Sequence, residues 1–311
     1  MKNTELLHAP QKKVSLFTIT QALVGLESAP SDNSLLQYFD FFTKKIPTSS
    51  TFFIHVEQEL NRFPELFYGG LPDAEIEFLQ EKTTKEFESR IEEYFKGEEN
   101  LQLETGFKIG NPLEVLLASA KKMKADLVVI GQKKGTKNHG ILAKKFARKA
   151  TGNALIIPEK SKPKIKTILV PIDYSENSAR ALQTAVGIKK QLGDSVQLIA
   201  LNVFQLPNMS SYKISRSPSQ FKSYVQENVK EAFENFLEKY IPADKGEVEA
   251  QLLFKDSPKM AGYIYSFAAD HQVDFMVIGA KGHSRIERLL MGSVTEKMLS
   301  LNQTFPTLVV K

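Results

Sequence analysis

Residues 274–300 read DFMVIGAKGHSRIERLLMGSVTEKMLS. The short apolar run 275–278, bounded by Asp274 and Gly279, is what a strand buried on both faces looks like. Gly279 and Gly282 mark a turn, and Gly292-Ser293 precede a segment, 294–299, of helical character. The pattern is Gly, two residues, Gly, nine residues, Gly-Ser. Glycine lets a backbone approach a ligand closely and present N–H groups to it. A helix start behind it adds unpaired N–H donors and the positive end of the helix dipole, which suits an anion such as phosphate. Glycines also close strands and cap helices, so the reading depends on what surrounds them.

Outward from this stretch the chain reads as two copies of one unit. In the first, residues 21–27 (QALVGLE), 51–56 (TFFIHV), 101–109, 126–131 (DLVVIG) and 153–158 (NALIIP) read as strands. Helical patterns separate them at 33–45, 73–96, 111–124 and 141–150, with Asn111-Pro112 as an N-cap followed by proline at the first helical position. In the second copy the strands are 166–173 (KTILVPID), 195–203, 248–254, 274–279 and 305–310 (FPTLVV). Helices fall at 178–192 and 221–240, and Ser257-Pro258 repeats the cap-plus-proline signal. Short strands alternating with longer helices predict a parallel sheet covered on both faces. The expected fold class is α/β, with two tandem doubly wound domains, each a five-stranded, mostly parallel sheet with helices on both faces. The expected domains are 1–160 and 165–311, joined by the charged linker EKSKPK at 159–164.

Bulk properties agree with this. A length of 311 residues fits about two domains, and 42% hydrophobic with 25% charged residues is ordinary for a globular chain. There is no cysteine, which removes disulfides, thiolate metal sites and cysteine nucleophiles. The first residues, MKNTELLHAPQKK, lack the apolar core of a signal peptide, and no apolar run is long enough to span a membrane. The expected location is cytoplasmic. A net charge of +5 does not argue for nucleic acid.

A doubly wound sheet binds ligands at the carboxyl ends of its strands, where the strand order reverses. The Gly279/Gly282 turn, Pro171-Ile172-Asp173 and Asn202-Val203 meet at that edge in the second copy. Val203, Ile172 and Ile278 supply an apolar slot for a base, and Asp173 an acceptor. The alternative role of Asp173 is to cap the helix that follows.

ILVPIDYSENSARAL at 168–182, with the spaced glycines and Ser293, resembles the universal stress proteins of the ATP-binding type. The whole chain resembles a tandem member of that family, whose fold is that of the adenine-nucleotide alpha-hydrolases. The resemblance implies that Asp173 contacts the adenine or ribose side and that Val203 lines the base. It further implies that Gly279, Gly282, Gly292, Ser293 and, through its backbone, Val294 hold ribose and phosphates. With Pro171, Ile172 and Ile278 these form the candidate site. The implied ligand is ATP, with Mg2+ as its companion, or AMP or ADP in its place. A pseudo-dimer within the chain is also implied, NALIIP and FPTLVV pairing antiparallel. Pairing with a second chain and the identity of a protein partner stay open.

The first copy departs from the motif. Gly282 is answered by Lys134, Gly292 by Lys144, Ser293 by Lys145, Asp173 by Glu27 and Pro171 by Gly25. It is therefore not expected to bind ATP in the family's way. Lys133, Lys134, Lys137, Lys144, Lys145, Arg148 and Lys149 make the region basic, either as a solvated face or as an anion site built from side chains. A nucleic-acid patch would want a recognised reader motif or a pattern of interleaved aromatics, and the region shows neither. No P-loop occurs. His8, His55, His139 and His271 show no metal-binding spacing, and no carboxylate is spaced to orient His283 as a base. The expected function is a nucleotide-binding sensor or regulator of the stress response, the alternative a slow ATPase or related nucleotide-handling enzyme.

Overall fold

A computed structural model of the protein describes residues 13–58, 73–98, 100–133, 141–206, 218–255, 259–282 and 291–311. The first half comprises β1 (Ile19–Leu26), α1 (Asp32–Thr43), β2 (Thr48–Glu57), α2 (Asp73–Tyr94), β3 (Gln102–Ile109), α3 (Pro112–Lys122), β4 (Leu127–Gln132), α4 (Ile141–Lys149) and β5 (Asn153–Pro158). The second comprises β6 (Thr167–Pro171), α5 (Glu176–Leu192), β7 (Gln197–Phe204), α6 (Pro218–Tyr240), a 3-10 turn (Pro242–Glu247), β8 (Glu249–Phe254), α7 (Met260–Asp270), β9 (Phe275–Gly279), α8 (Ser293–Leu301) and β10 (Thr307–Val310).

The strands form one ten-stranded sheet in the order β3-β2-β1-β4-β5-β10-β9-β6-β7-β8. Within each half all neighbours are parallel, and the order reverses between the first strand and the fourth. The halves join through an antiparallel ladder, Thr307 opposite Ile156, Leu308 opposite Leu155 and Val309 opposite Ala154. NALIIP and the end of FPTLVV thus meet as expected. The register makes Ile157, beside Gly131, equivalent to Val310, beside Gly279, one residue out of step with the match read from sequence.

Burial explains the strand sequences. All five residues of β9 are buried, as in a central parallel strand, whereas edge strand β8 has no fully buried residue. One apolar layer gathers α1, α2, α5 and α6 on one face, with Phe39, Phe42, Leu182 and Phe233 at its centre. The other gathers α3, α4, α7 and α8, with Leu116, Phe146, Ile264 and Met298. Each layer runs through both halves: the Phe42 ring of α1 lies 5.9 Å from the Phe275 ring of β9.

The duplication is written into the backbone. Left-handed non-glycine residues occur as equivalent pairs, Ser28 with Tyr174 after the first strand of each half and Lys124 with Gln272 before the fourth. Each costs on the order of 1–2 kcal/mol. Asp126 accepts the N–H groups of Thr20 and Gln21, and Asp274 that of Lys166, so each half ties the start of its first strand to its fourth. Asn111 caps α3 by accepting from Leu113 and Glu114, with Pro112 at the first helical position. Its counterpart at Ser257-Pro258 lies outside the described residues.

One feature was absent from the sequence reading. Residues 13–17 lie along α5 of the other half. The Val14 N–H donates to Asp244 at 2.6 Å, Lys190 donates to the Val14 carbonyl, and Gln191 donates to that of Phe17. Gly187 makes the approach possible, since a Cβ there would stand 2.6 Å from the Ser15 carbonyl oxygen. Burial pushes the Asp244 carboxyl up, but the hydrogen bonds from Lys190 and Val14 outweigh this and hold it below the usual carboxylate range. Its contribution to stability is thus complete above about pH 4 and lost as pH falls through the depressed value. Asp244→Asn at neutral pH should accelerate amide exchange over residues 13–17, with the β5–β10 ladder still protected. Unchanged exchange in that segment would show that the carboxylate does not hold it.

Candidate functional site

The carboxyl ends of β6, β7 and β9, with the start of α8, enclose a cavity of about 260 Å3. All ten residues of the sequence-derived site line it: Pro171, Ile172, Asp173, Val203, Ile278, Gly279, Gly282, Gly292, Ser293 and Val294. Pro171 to Asp173 arrive from the end of β6, Val203 from β7, and Ile278 and Gly279 from β9. Of the remaining four, Gly282 follows β9 and Gly292, Ser293 and Val294 lie at the start of α8. His283 and Arg285 lie outside the described residues.

None of the three glycines has a positive φ; Gly279 and Gly282 are needed for space, while a Cβ at Gly292 would come no closer than 3.3 Å to its neighbours. A Cβ on Gly279 would lie 2.8 Å from the backbone carbon and oxygen of Asn177, so its bareness seats the first turn of α5 on β9. A Cβ on Gly282 would stand 2.5 Å from an Asp173 carboxylate oxygen. Gly292 donates its N–H to the Ala280 carbonyl at 2.8 Å and packs beside the backbone of Gly282. As N-cap of α8 it brings no side-chain acceptor, leaving the first-turn N–H groups uncapped. Thr295 fixes that turn by donating to the Gly279 carbonyl at 2.8 Å.

Asp173 accepts from the Ser175 N–H at 3.1 Å and hydroxyl at 2.6 Å. Ser175 in turn caps α5 by accepting from the Ser178 N–H. The helix cap is therefore Ser175, with Asp173 propping it from the cavity wall. Tyr174, left-handed between them, turns its ring toward Phe233 and Phe236, and burial pushes its hydroxyl up to about 12.

Sequence reasoning passed over Asn202 as a site residue. It is 5% exposed and donates from Nδ2 to the Ile172 carbonyl at 2.9 Å, pinning the end of β6. Its Oδ1 is buried in the cavity wall without a partner. Met260 and Ile264 of α7 also line the cavity. At helical spacing they carry no signal beyond that of core residues.

The equivalent place in the first half is a larger cavity, about 510 Å3. His55 stands where Asn202 does, its Nδ1 donating to the Leu26 carbonyl at 3.1 Å. Glu27 forms an ion pair with Lys133 across the mouth. Asp32 accepts the N–H groups of Glu27 and Ala29, yet burial raises its carboxyl overall. Of the described residues of the basic run, Lys133 lines this cavity, and others turn to the joint between the halves. Lys144 reaches Ser300 at 3.2 Å, and Arg148 reaches Glu296 at 2.5 Å, both on α8 of the other half. These two therefore belong to the joint between halves; Lys134, Lys137 and His139 lie outside the described residues.

The two glycines contacting Asn177 and Asp173 should separate experimentally. Gly279→Ala drives a methyl into backbone and should lower unfolding free energy by about 1–3 kcal/mol in urea titration. Gly282→Ala meets a side-chain end and should cost less than half as much. Equal losses would contradict the packing role of Gly279.

Residues 164–311 match the model of the universal stress protein family. The chain is 30% identical over 147 residues to the universal stress protein YxiE of Bacillus subtilis, an alignment covering 46% of this chain and 97% of that protein. A putative universal stress protein of Staphylococcus aureus is 28% identical over 134 residues, 43% of this chain and 77% of the relative. Among solved structures, a universal stress protein from Archaeoglobus fulgidus has the same fold, with TM-score 0.64 at 16% identity over 94% of this chain and 96% of the other. A putative universal stress protein from Pseudomonas aeruginosa gives 0.62 at 14% identity over 94% and 93%. The sequence matches span less than half of the chain, while the fold match extends through both halves. The chain belongs to the universal stress protein family.

Proposed function

We propose that the C-terminal domain, residues 165–311, binds an adenine nucleotide, ATP first among them, and that the protein acts as a nucleotide-dependent sensor or regulator in a stress response. The N-terminal domain, residues 1–160, does not take part in that binding. The observation that carries this reading is the convergence, in one cavity, of an apolar slot and bare backbone. Ile172, Val203 and Ile278 form the slot, and Gly282 and Gly292 lead to the uncapped first turn of α8. A base stacks into such a slot, and phosphates suit the N–H groups of such a turn.

Two details favour a nucleotide over a bare anion. The partnerless Oδ1 of Asn202 is an acceptor that the exocyclic amine of adenine satisfies. The cavity's 260 Å3 lies just under the usual range of roughly 300–1,000 Å3 for ligand sites, so base and sugar fill it and the phosphates extend past Gly282 and Gly292. Among the described residues no three His, Asp or Glu side chains cluster. A Mg2+ ion would therefore ride on the phosphates, with Asp173 the carboxylate of the cavity wall. Asp173 and Lys281 are the charged residues of the described lining, which favours retention of the nucleotide over its turnover.

Gly292→Lys places in the second half the residue found at Lys144. The backbone at Gly292, φ −61° and ψ 143°, accepts any L-residue, so the fold should persist. Nucleotide co-purifying with the wild-type chain, identified by mass spectrometry, should be adenine-containing. The variant should bind ATP at least tenfold more weakly, about 1.4 kcal/mol, with an unchanged circular-dichroism spectrum. Unaltered ATP affinity would refute the site. Phosphate release above background in the wild type would favour the slow-ATPase alternative.

A further inference from the structure

The wall of the second cavity is tied to the first half through the last turn of α4. The ladder between β9 and β10 sets Val310 beside Gly279, and the Ala280 N–H donates to the Val310 carbonyl at 2.8 Å. The Ala280 carbonyl in turn accepts from the Gly292 N–H at 2.8 Å, and the Lys281 backbone lies beside Gly292. Next to Val310, the Lys311 side chain crosses the joint and donates to the Ala147 carbonyl of α4 at 2.6 Å, with that of Arg148 3.5 Å away. The Lys311 N–H donates to Asn153 of β5 at 3.1 Å. Arg148 reaches back to Glu296 in the first turn of α8.

We infer that Lys311 is a positioning residue of the second cavity, and that its ammonium group makes the binding of a phosphate-bearing ligand there depend on pH. This rests on the reading of the cavity as a nucleotide site and adds how that site is regulated. The ammonium acts first through the backbone. Carbonyls in the last turn of a helix have no partner within it, and a cation there is favoured by the helix dipole. Lys311 thus holds α4 to the end of β10, and through the Ala280 hydrogen bonds to the backbone that carries Lys281 and Gly292. It acts second through its charge. Lys281 lines the cavity, and its positive charge disfavours the proton on Lys311. An anion placed to offset Lys281 therefore stabilises the Lys311 ammonium as well.

Burial, and after it the charge of Lys281, brings Lys311 down to about 8. The charged groups on the elements around it are Arg148 and Lys149 of α4, Glu296 of α8, Lys281 after β9, and Asp126 before β4. Glu296 is engaged by Arg148, and Asp126 by the N–H groups of Thr20 and Gln21. Both carboxylates of the set are thus occupied elsewhere, and a bound phosphate supplies the negative charge that Lys311 lacks. Where the free protein has lost the Lys311 proton, binding has to take one up. Affinity is therefore complete below about pH 8 and falls as pH rises through that value.

Titration of the full chain with ATP from about pH 7 to about pH 9.5 should show affinity falling about fourfold. The phosphates are ionised throughout that range, and adenosine, which lacks them, should bind with a flat profile. Lys311→Arg carries a charge that does not titrate there, and its ATP profile should be flat. Lys311→Met should bind ATP severalfold more weakly at about pH 7, with an unchanged circular-dichroism spectrum. A flat ATP profile in the wild type, a pH dependence that adenosine shares or that survives in Lys311→Arg, or an unaffected Lys311→Met would each overturn the role of Lys311 and leave the nucleotide reading standing. Binding of neither ATP nor adenosine at any pH would overturn both.

Discussion

Three opposed residue pairs between β5 and β10 hold the architecture together. Apart, each half would expose a buried-type strand, ALIIP or TLVV, as an open edge, the kind of surface that recruits unrelated chains. Paired, the two edges vanish and the sheet becomes continuous. Because this pairing is antiparallel and every other one is parallel, the strands of the two halves point in opposite directions. Their carboxyl ends, and with them the two cavities, consequently open at opposite edges of the sheet. The same step lays α4 beside α8, where Gln132 of β4 donates to the Leu299 carbonyl at 2.9 Å and Lys311 to that of Ala147 at 2.6 Å. Burial pushes the Lys311 ammonium down to about 8, and the nearby charge of Lys281 adds to the effect.

Within that frame the halves share supports and differ in what they present. Both pin the end of the first strand with a buried side chain from the second, Asn202 in one case and His55 in the other. Both turn into the first helix through a left-handed residue. The supports are indifferent to the ligand, so they persist through changes in the lining. At the lining positions themselves the second half keeps backbone bare at Gly282 and Gly292, whereas the first surrounds an enlarged apolar floor with carboxylates.

The fold was legible in the sequence because its signal is periodic and doubled. Short apolar runs alternating with amphipathic helices fix a parallel sheet, and a second copy confirms each assignment. The lining of the second cavity was legible because glycine spacing survives as a pattern. Asn202 was not, since one asparagine at a strand end looks like any turn former until its buried Oδ1 is seen to lack a partner. The carboxylates that line the first cavity escaped notice for a different reason. Glu27, Asp32, Glu57 and Glu159 are scattered along the chain, and only the sheet order gathers them. The lysines, contiguous and conspicuous, drew attention to an anion site instead. Local density of charge in sequence says little about its convergence in space, because neighbours on a helix face diverge while strand ends far apart in sequence converge.

The basic run also illustrates how little conspicuous charge contributes to the joint it belongs to. Arg148 and Glu296 are each more than a third exposed, and a pair of that kind is worth well under 1 kcal/mol once screened. The Gln132 amide is buried, and removing its acceptor would leave an unsatisfied donor at a cost of about 1–3 kcal/mol. Beside it, Phe42 against Phe275 carries apolar burial from one half into the other. Ladder, buried amide and shared aromatic layer thus hold the halves together, while the lysines and arginine fix which faces of α4 and α8 meet. This division leaves the lining of each cavity free to change without loosening the frame.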